Sequence, residues 1–178
     1  MKKRLLKNKL FYYFYKLLKI HRNKKPSLHF GEFGEDVLIN RIFKNKKNGK
    51  YIDVGCYHPY KGSLTAKLYN KNWNGINIDL SKTSVDLFNI VRKRDINLNV
   101  AISNFDGETS YYENSPINQQ NSLTKINNEQ TKIKIKSYTL NSILKNNSIE
   151  TFDYLNIDVE GSELEVIEGI DLIKYHPS

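Results

Sequence analysis

The 178-residue chain is long enough for one ordinary domain with a hydrophobic core, and 39% hydrophobic with 26% charged residues is a globular composition. Its net charge of +9 is confined to one end: residues 1–25 hold ten basic groups and no acid, whereas residues 26–178 hold 18 basic against 19 acidic groups, a net −1. A near-neutral domain excludes a broad phosphate-neutralising face, so nucleic acid is not an expected partner. The single cysteine, Cys56, excludes an internal disulfide framework and fits a reducing, cytoplasmic compartment.

In the N-terminal segment Leu5, Leu6, Leu10, Tyr13, Phe14, Leu17 and Ile20 recur at helical spacing. Lys7, Lys9, Lys16 and Lys19 interrupt the run and HRNKKP follows it, so it does not read as a secretory signal or a bilayer span. Three readings fit: an amphipathic helix on an anionic membrane surface, a helix capping the domain, or a frayed basic tail. The first makes residues 1–25 the contact with the inner face of a membrane. Pro26 marks the boundary, giving a basic segment over residues 1–28 and a domain over 29–178.

Helical and strand patterns then alternate. GEFGEDVLINRIF (31–43) predicts a helix with Val37, Leu38, Ile42 and Phe43 on one side, and YIDVG (51–55) a buried strand ended by glycine. Residues 61–71 read as a helix and GINIDL (75–80) as a second strand. SKTSVDLFNIVRKR reads as a helix capped by Ser81, and INLNVAIS (96–103) as a third strand. GETSYYEN and TKIKIKS alternate like solvent-facing antiparallel strands. Thr139 can cap TLNSILKN, and DYLNID (153–158) is a strand followed by a helix in SELEVIEG. Strands separated by helices imply an α/β fold with a mostly parallel sheet.

In such sheets ligands bind beyond the carboxyl ends of the strands. Three ends carry polar residues: Asp53-Val54-Gly55, Asp79, and Asp158-Val159-Glu160-Gly161. Gly55 would let a ligand approach the backbone, and a carboxylate at Asp79 can accept from both ribose hydroxyls of an adenosine. Asp79 also reads as an ordinary helix N-terminal acid. The loop Gly55-Cys56-Tyr57-His58-Pro59-Tyr60 lacks the paired glycines of a pyrophosphate site, and no G-x-x-x-x-G-K-[ST] run is present. An adenosine cofactor without phosphates is what remains, and S-adenosylmethionine (SAM) is the usual one.

The blocks GEDVLINRIF, YIDVGCYHP, SLTAKLYNKNWNGINID, NVAIS with FDGE, and FDYLNIDVEGSELEVIEGID resemble, in order over about residues 31–176, the FkbM family of SAM-dependent methyltransferases. The resemblance implies a class I, Rossmann-like three-layer sandwich, and many members of the family O-methylate sugars of polysaccharides, glycolipids or natural products. It places Asp53 and Gly55 at the SAM loop, Asp79 on the ribose, Ala101 and Ile102 beside the adenine, and Asp158 and Glu160 at the transfer site. Leu64 stands where an Asn is usual, and Asn141 where an Asp is common. A further strand is expected after Asp171, where this chain reads His176-Pro177-Ser178, so the reading expects a sheet lacking its C-terminal strands. Strand 154–158 would then have an open edge available for self-association.

A sugar hydroxyl must lose its proton to attack the methyl group. Asp158 is the first candidate base, and Glu160 would orient it or share a cation, two close carboxylates pushing one pKa upward. Glu160 also reads as a cap of the following helix. His58 is a second candidate base, with the alternative that it shapes the loop before Pro59. Cys56, Tyr69 and Trp73 read as packing residues. No metal is assigned, since several oxygen ligands would have to converge. The sequence thus expects an O-methyltransferase acting on a surface glycan or lipid-linked saccharide. A non-catalytic SAM-binding remnant is the alternative, and an RNA methyltransferase using the basic segment ranks below both.

Overall fold

The structure, a computed structural model, describes residues 9–23, 29–115, 118–123 and 130–177. Its first sheet holds four parallel strands in the order β3-β2-β1-β8: β1 (Lys50–Val54), β2 (Asn74–Ile78), β3 (Ile96–Leu98) and β8 (Tyr154–Ile157). The second has the order β4-β7-β5-β6: β4 (Ala101–Ile102), β5 (Gly107–Ser115), β6 (Asn118–Ser122) and β7 (Thr131–Tyr138). Helices α1 (Lys9–Asn23) and α2 (Glu35–Ile42) precede β1, and α3 (Ala66–Asn70) and α4 (Lys82–Val91) connect β1 to β2 and β2 to β3. Helix α5 (Leu140–Asn146) precedes β8 and α6 (Glu163–Glu168) follows it. This is the Rossmann-like α/β arrangement, an open and largely parallel sheet flanked by helices.

The period of two along each strand divides the core between two faces. Ile52, Val54, Ile76 and Ile78 pack with Leu140, Leu144, Phe152 and Val166 on one face. Tyr51 packs with Leu68 and Trp73 on the other, where Ile39, Phe43 and Tyr154 lean against them. Trp73 is fully buried, its indole N–H donating to the Lys46 carbonyl. The caps at Ser81 and Thr139 form as the sequence predicts: each hydroxyl oxygen accepts the amide three residues on, Ser84 at 3.3 Å and Ser142 at 3.1 Å.

Three local expectations are corrected. Helix α2 turns Ile39 and Phe43 inward and leaves Val37, Leu38 and Ile42 exposed. The helix read over 61–71 is confined to Ala66–Asn70, and the run before it is a loop. The strand read over 96–103 is two, β3 in the first sheet and β4 in the second, divided at Asn99 and Val100. At the break the Asn99 side chain donates to the carbonyls of Asp79 and Leu80, just past the end of β2. The alternating runs do form the antiparallel pair β5 and β7, and β6 adds a third antiparallel strand on the other side of β5.

Strand β8 pairs with β1 along one edge. Among the described residues its other side meets only a parallel bridge between Phe152 and Pro177. Leu5 and Leu6 of the basic segment lie outside the described residues.

Candidate functional site

A cavity of about 720 Å³ opens at the carboxyl ends of β1, β2 and β8, within the size range of small-molecule sites. It is lined by Asp53, Gly55, Asp79, Ala101, Ile102, Asp158 and Glu160, seven of the eight residues singled out in the sequence. His58 is the exception. It is fully buried outside the lining, with Nδ1 accepting the amides of Tyr60 and Lys61 at 3.0 Å each, and the Lys19 main chain bonds the ring as well. Burial is the main cause that lowers its pKa to about 3, with Lys19 and Lys61 adding to it. A ring held neutral by these contacts shapes the loop and is not placed to take a proton from a ligand.

Gly55 is required for a reason besides the expected one. Its φ is +81°, and a Cβ there would lie 1.8 Å from the Asp158 carbonyl oxygen. The missing side chain makes room for the neighbouring strand end, while the Gly55 backbone lines the cavity. The amides of Gly55 and Cys56 both donate to the Ile78 carbonyl, at 2.9 and 3.1 Å. These bonds fix the loop onto β2.

Asp79 sits where β2 ends. Its Oδ2 accepts the Tyr57 amide at 2.8 Å and its Oδ1 the Ser81 amide at 2.7 Å, so it both anchors the loop and serves the start of α4. Burial raises its pKa to about 6, while the two backbone donors oppose the shift. Asp53 is 2% exposed, and its oxygens accept from Thr65 Oγ1 (2.7 Å) and Asn156 Nδ2 (2.9 Å). Burial pushes this carboxyl up from its ordinary value against those donors.

Asp158 and Glu160, by contrast, are exposed at the rim. Glu160 has φ +56°, and it does not cap α6, whose N-cap position is Ser162. Tyr57, on the loop after β1, has φ +54°. Two non-glycine residues in the left-handed region thus flank one cavity, each at a cost of about 1 kcal/mol. Cys56 is buried and burial pushes its thiol up, which keeps it unreactive.

Several supporting residues escape a reading of the sequence. Arg92, 1% exposed, donates from Nη2 to the Pro59 carbonyl (2.7 Å) and Ser63 Oγ (2.8 Å). From Nη1 it donates to Thr65 Oγ1 (2.8 Å) and Tyr51 Oη (3.1 Å). One side chain thereby holds the whole loop from Pro59 to Thr65. Within V-R-K-R the sequence gives no sign of which cation is buried. Asp36, also buried, accepts the amides of Phe30 and Gly31, which shapes a second lining segment, Phe30–Phe33. Leu64 lies on the cavity wall. Asn141 Oδ1 accepts the Asp171 amide at 2.9 Å, an acceptor's task that needs no negative charge.

Beneath the loop a polar row crosses the parallel sheet, because Asn156, Asp53, Asn77 and Asn97 occupy one register level. Asn156 donates to Asp53, and Asn77 donates to Asn97 (2.8 Å) and to Asp95 (2.9 Å).

Helix α1 closes the outside of the loop. Tyr12 Oη donates to Asp86 at 3.1 Å, Lys16 pairs with Asp86 at 3.6 Å, and Ile20 is buried. Burial lowers the Lys19 pKa to about 8, Lys61 adding to the effect and Asp79 opposing it. No described helix is long and apolar enough to cross a membrane. No described group of three His, Cys, Asp or Glu is arranged to hold a metal ion.

The family model described as the Methyltransferase FkbM domain matches residues 53–178. The match begins at Asp53 and includes every cavity-lining residue except those of the segment before β1, Phe30 to Phe33 and Glu35. Comparison with curated proteins finds no match, and neither does comparison with solved structures. A match over more than two thirds of the chain, on a Rossmann-like sheet with a cavity at its carboxyl edge, places the protein in the FkbM family of SAM-dependent methyltransferases.

Proposed function

We propose that this chain transfers the methyl group of SAM to a saccharide hydroxyl of a surface glycan or lipid-linked sugar, with Asp158 as general base. One observation carries the reading: acids at the ends of three neighbouring parallel strands, Asp53, Asp79 and Asp158, line one cavity in which Lys61 is the sole basic lining residue among the described residues. Negative walls suit a ligand with a sulfonium cation and no phosphate. The same field disfavours an anionic acceptor, which supports a neutral sugar.

Asp79 would accept from the ribose hydroxyls, since each carboxylate oxygen has a second lone-pair site beyond the backbone donor it already serves. The buried apolar pair Ala101 and Ile102 would form a wall for the adenine. Asp53, 2% exposed and held by the Thr65 and Asn156 side chains, supports the loop from below. The bound cofactor supplies an electrophilic methyl group. The chain must hold the acceptor hydroxyl in line and remove its proton. Asp158 at the rim takes that proton, and Glu160 accepts from a neighbouring hydroxyl to fix the sugar's orientation. The basic N-terminal segment keeps the protein at the inner face of a membrane carrying the lipid-linked acceptor.

The test is calorimetric titration with S-adenosylhomocysteine (SAH), followed by transfer assays on neutral saccharides. Micromolar binding by the wild-type chain, lost in Asp79→Ala, is the expected result. Asp158→Asn should keep SAH affinity and lose transfer by about 10²-fold or more. No SAH binding by the folded wild-type chain overturns the reading in favour of a non-catalytic module.

A further inference from the structure

Helix α1 docks on the domain by its polar side. The inward positions are Tyr12, Tyr15, Lys16, Lys19 and Ile20, held by the Tyr12 and Lys16 contacts to Asp86, a 3.0 Å contact between the hydroxyls of Tyr12 and Thr83, and the main-chain bond from Lys19 to His58. The opposite side exposes Leu10 (63%), Phe11, Phe14, Leu17 and Leu18 (66%). An ordinary surface helix has the reverse orientation, apolar stripe inward. A contiguous outward stripe of this kind needs a second apolar phase.

We propose that this stripe lies on an anionic lipid surface while α1 stays docked, so that the helix is the membrane-facing wall of the protein. This deepens the membrane half of the reading above and does not depend on the transfer chemistry. Charge selects the occupant. Residues 1–25 carry ten basic groups and no acid, which attracts anionic headgroups. A second copy would set one cationic segment against another, even with Lys16 and Lys19 turned toward the domain. Tyr13, exposed beside the stripe, suits headgroup depth. Because the Lys19 main chain holds His58, the cofactor loop lies about one helix diameter, ~10 Å, behind the lipid-facing side. That places the cavity close to headgroup-linked acceptors.

The experiment is flotation of the full chain with phosphatidylcholine vesicles, with and without one quarter phosphatidylglycerol. SAH binding is measured on the same preparations. The wild type should float with the anionic vesicles only, and lose binding as salt rises. The L10S/F14S/L18S variant should bind them at least tenfold more weakly, with unchanged SAH affinity, since these side chains point away from the fold; L18D alone should lose most of the binding. Vesicle binding unchanged in the triple variant, or absent in a wild type that is folded by circular dichroism, overturns the proposal and leaves the stripe to a protein partner. Loss of SAH binding with vesicle binding intact would count against the SAM reading and not against this one.

Discussion

Gly55 and Asp158 touch where their strands end: the position of an absent Gly55 Cβ is 1.8 Å from the Asp158 carbonyl oxygen, and the Asp158 amide in turn donates to the Val54 carbonyl at 2.9 Å. The loop that starts the cavity and the proposed base are therefore fixed to each other by backbone. Gly55→Ala would force both a left-handed alanine and a separation of β1 from β8. It should cost about 3 kcal/mol of stability, read as a lower urea midpoint, and weaken SAH binding in the folded fraction. An unchanged midpoint would show that the two strand ends have room to part.

Arg92 should tolerate no substitution. Arg92→Lys keeps the charge but cannot span Pro59, Ser63, Thr65 and Tyr51 from two nitrogens, so buried acceptors lose donors. A loss of about 2–4 kcal/mol is expected, with weaker SAH binding because the loop lines the cavity. Thermal melts with and without SAH measure both, and a wild-type melt for the lysine variant would remove Arg92 from the site's support.

The Asp79 pKa, raised to about 6, gives cofactor binding a pH dependence. In the proposed role of Asp79, ribose hydroxyls would donate to the ionised carboxylate, so below about pH 6 binding would first have to expel a proton. SAH affinity should fall towards tenfold per pH unit below 6 and be flat above it. The apo chain has the opposite sign: ionising a carboxyl whose folded pKa lies above its unfolded value reduces stability between about pH 4 and 6. Titration of Asp79→Asn, expected to be weak and pH-independent, checks the assignment. A slope that survives the substitution belongs to another group.

His58→Asn should retain both activity and the pH profile of transfer, because an asparagine Oδ1 takes the place of Nδ1 and can accept the amides that it now accepts. Had His58 been the base, the variant would lose the rate together with its ionisation near neutral pH. Asp158→Asn, measured alongside it, supplies the contrast.

The free edge of β8 predicts self-association. Beyond the Phe152–Pro177 bridge that edge has no partner among the described residues, and unpaired edges recruit other strands. Light scattering on the purified chain should show oligomers, reduced by a proline at Leu155. A monodisperse monomer would contradict the prediction.

The elements were legible because local chemistry writes them. Apolar runs ending in Asp or Gly gave β1, β2 and β8, alternation gave β5 and β7, and Ser81 and Thr139 announced their helices. The acids at the strand ends were legible too, since parallel topology forces those ends to one side. Three things were decided only in three dimensions. Asn156, Asp53, Asn77 and Asn97 form a row through inter-strand register, which no single strand encodes. Arg92 is buried while Lys93 and Arg94 beside it are exposed, because the carbonyl and hydroxyls that satisfy it come from the loop after β1, some 30 residues away. The outward apolar stripe of α1 arises because Asp86 and His58 offer that helix hydrogen bonds and charge on its polar side. Periodicity tells which residues share a face. Only the groups waiting on the neighbouring element determine which face turns inward.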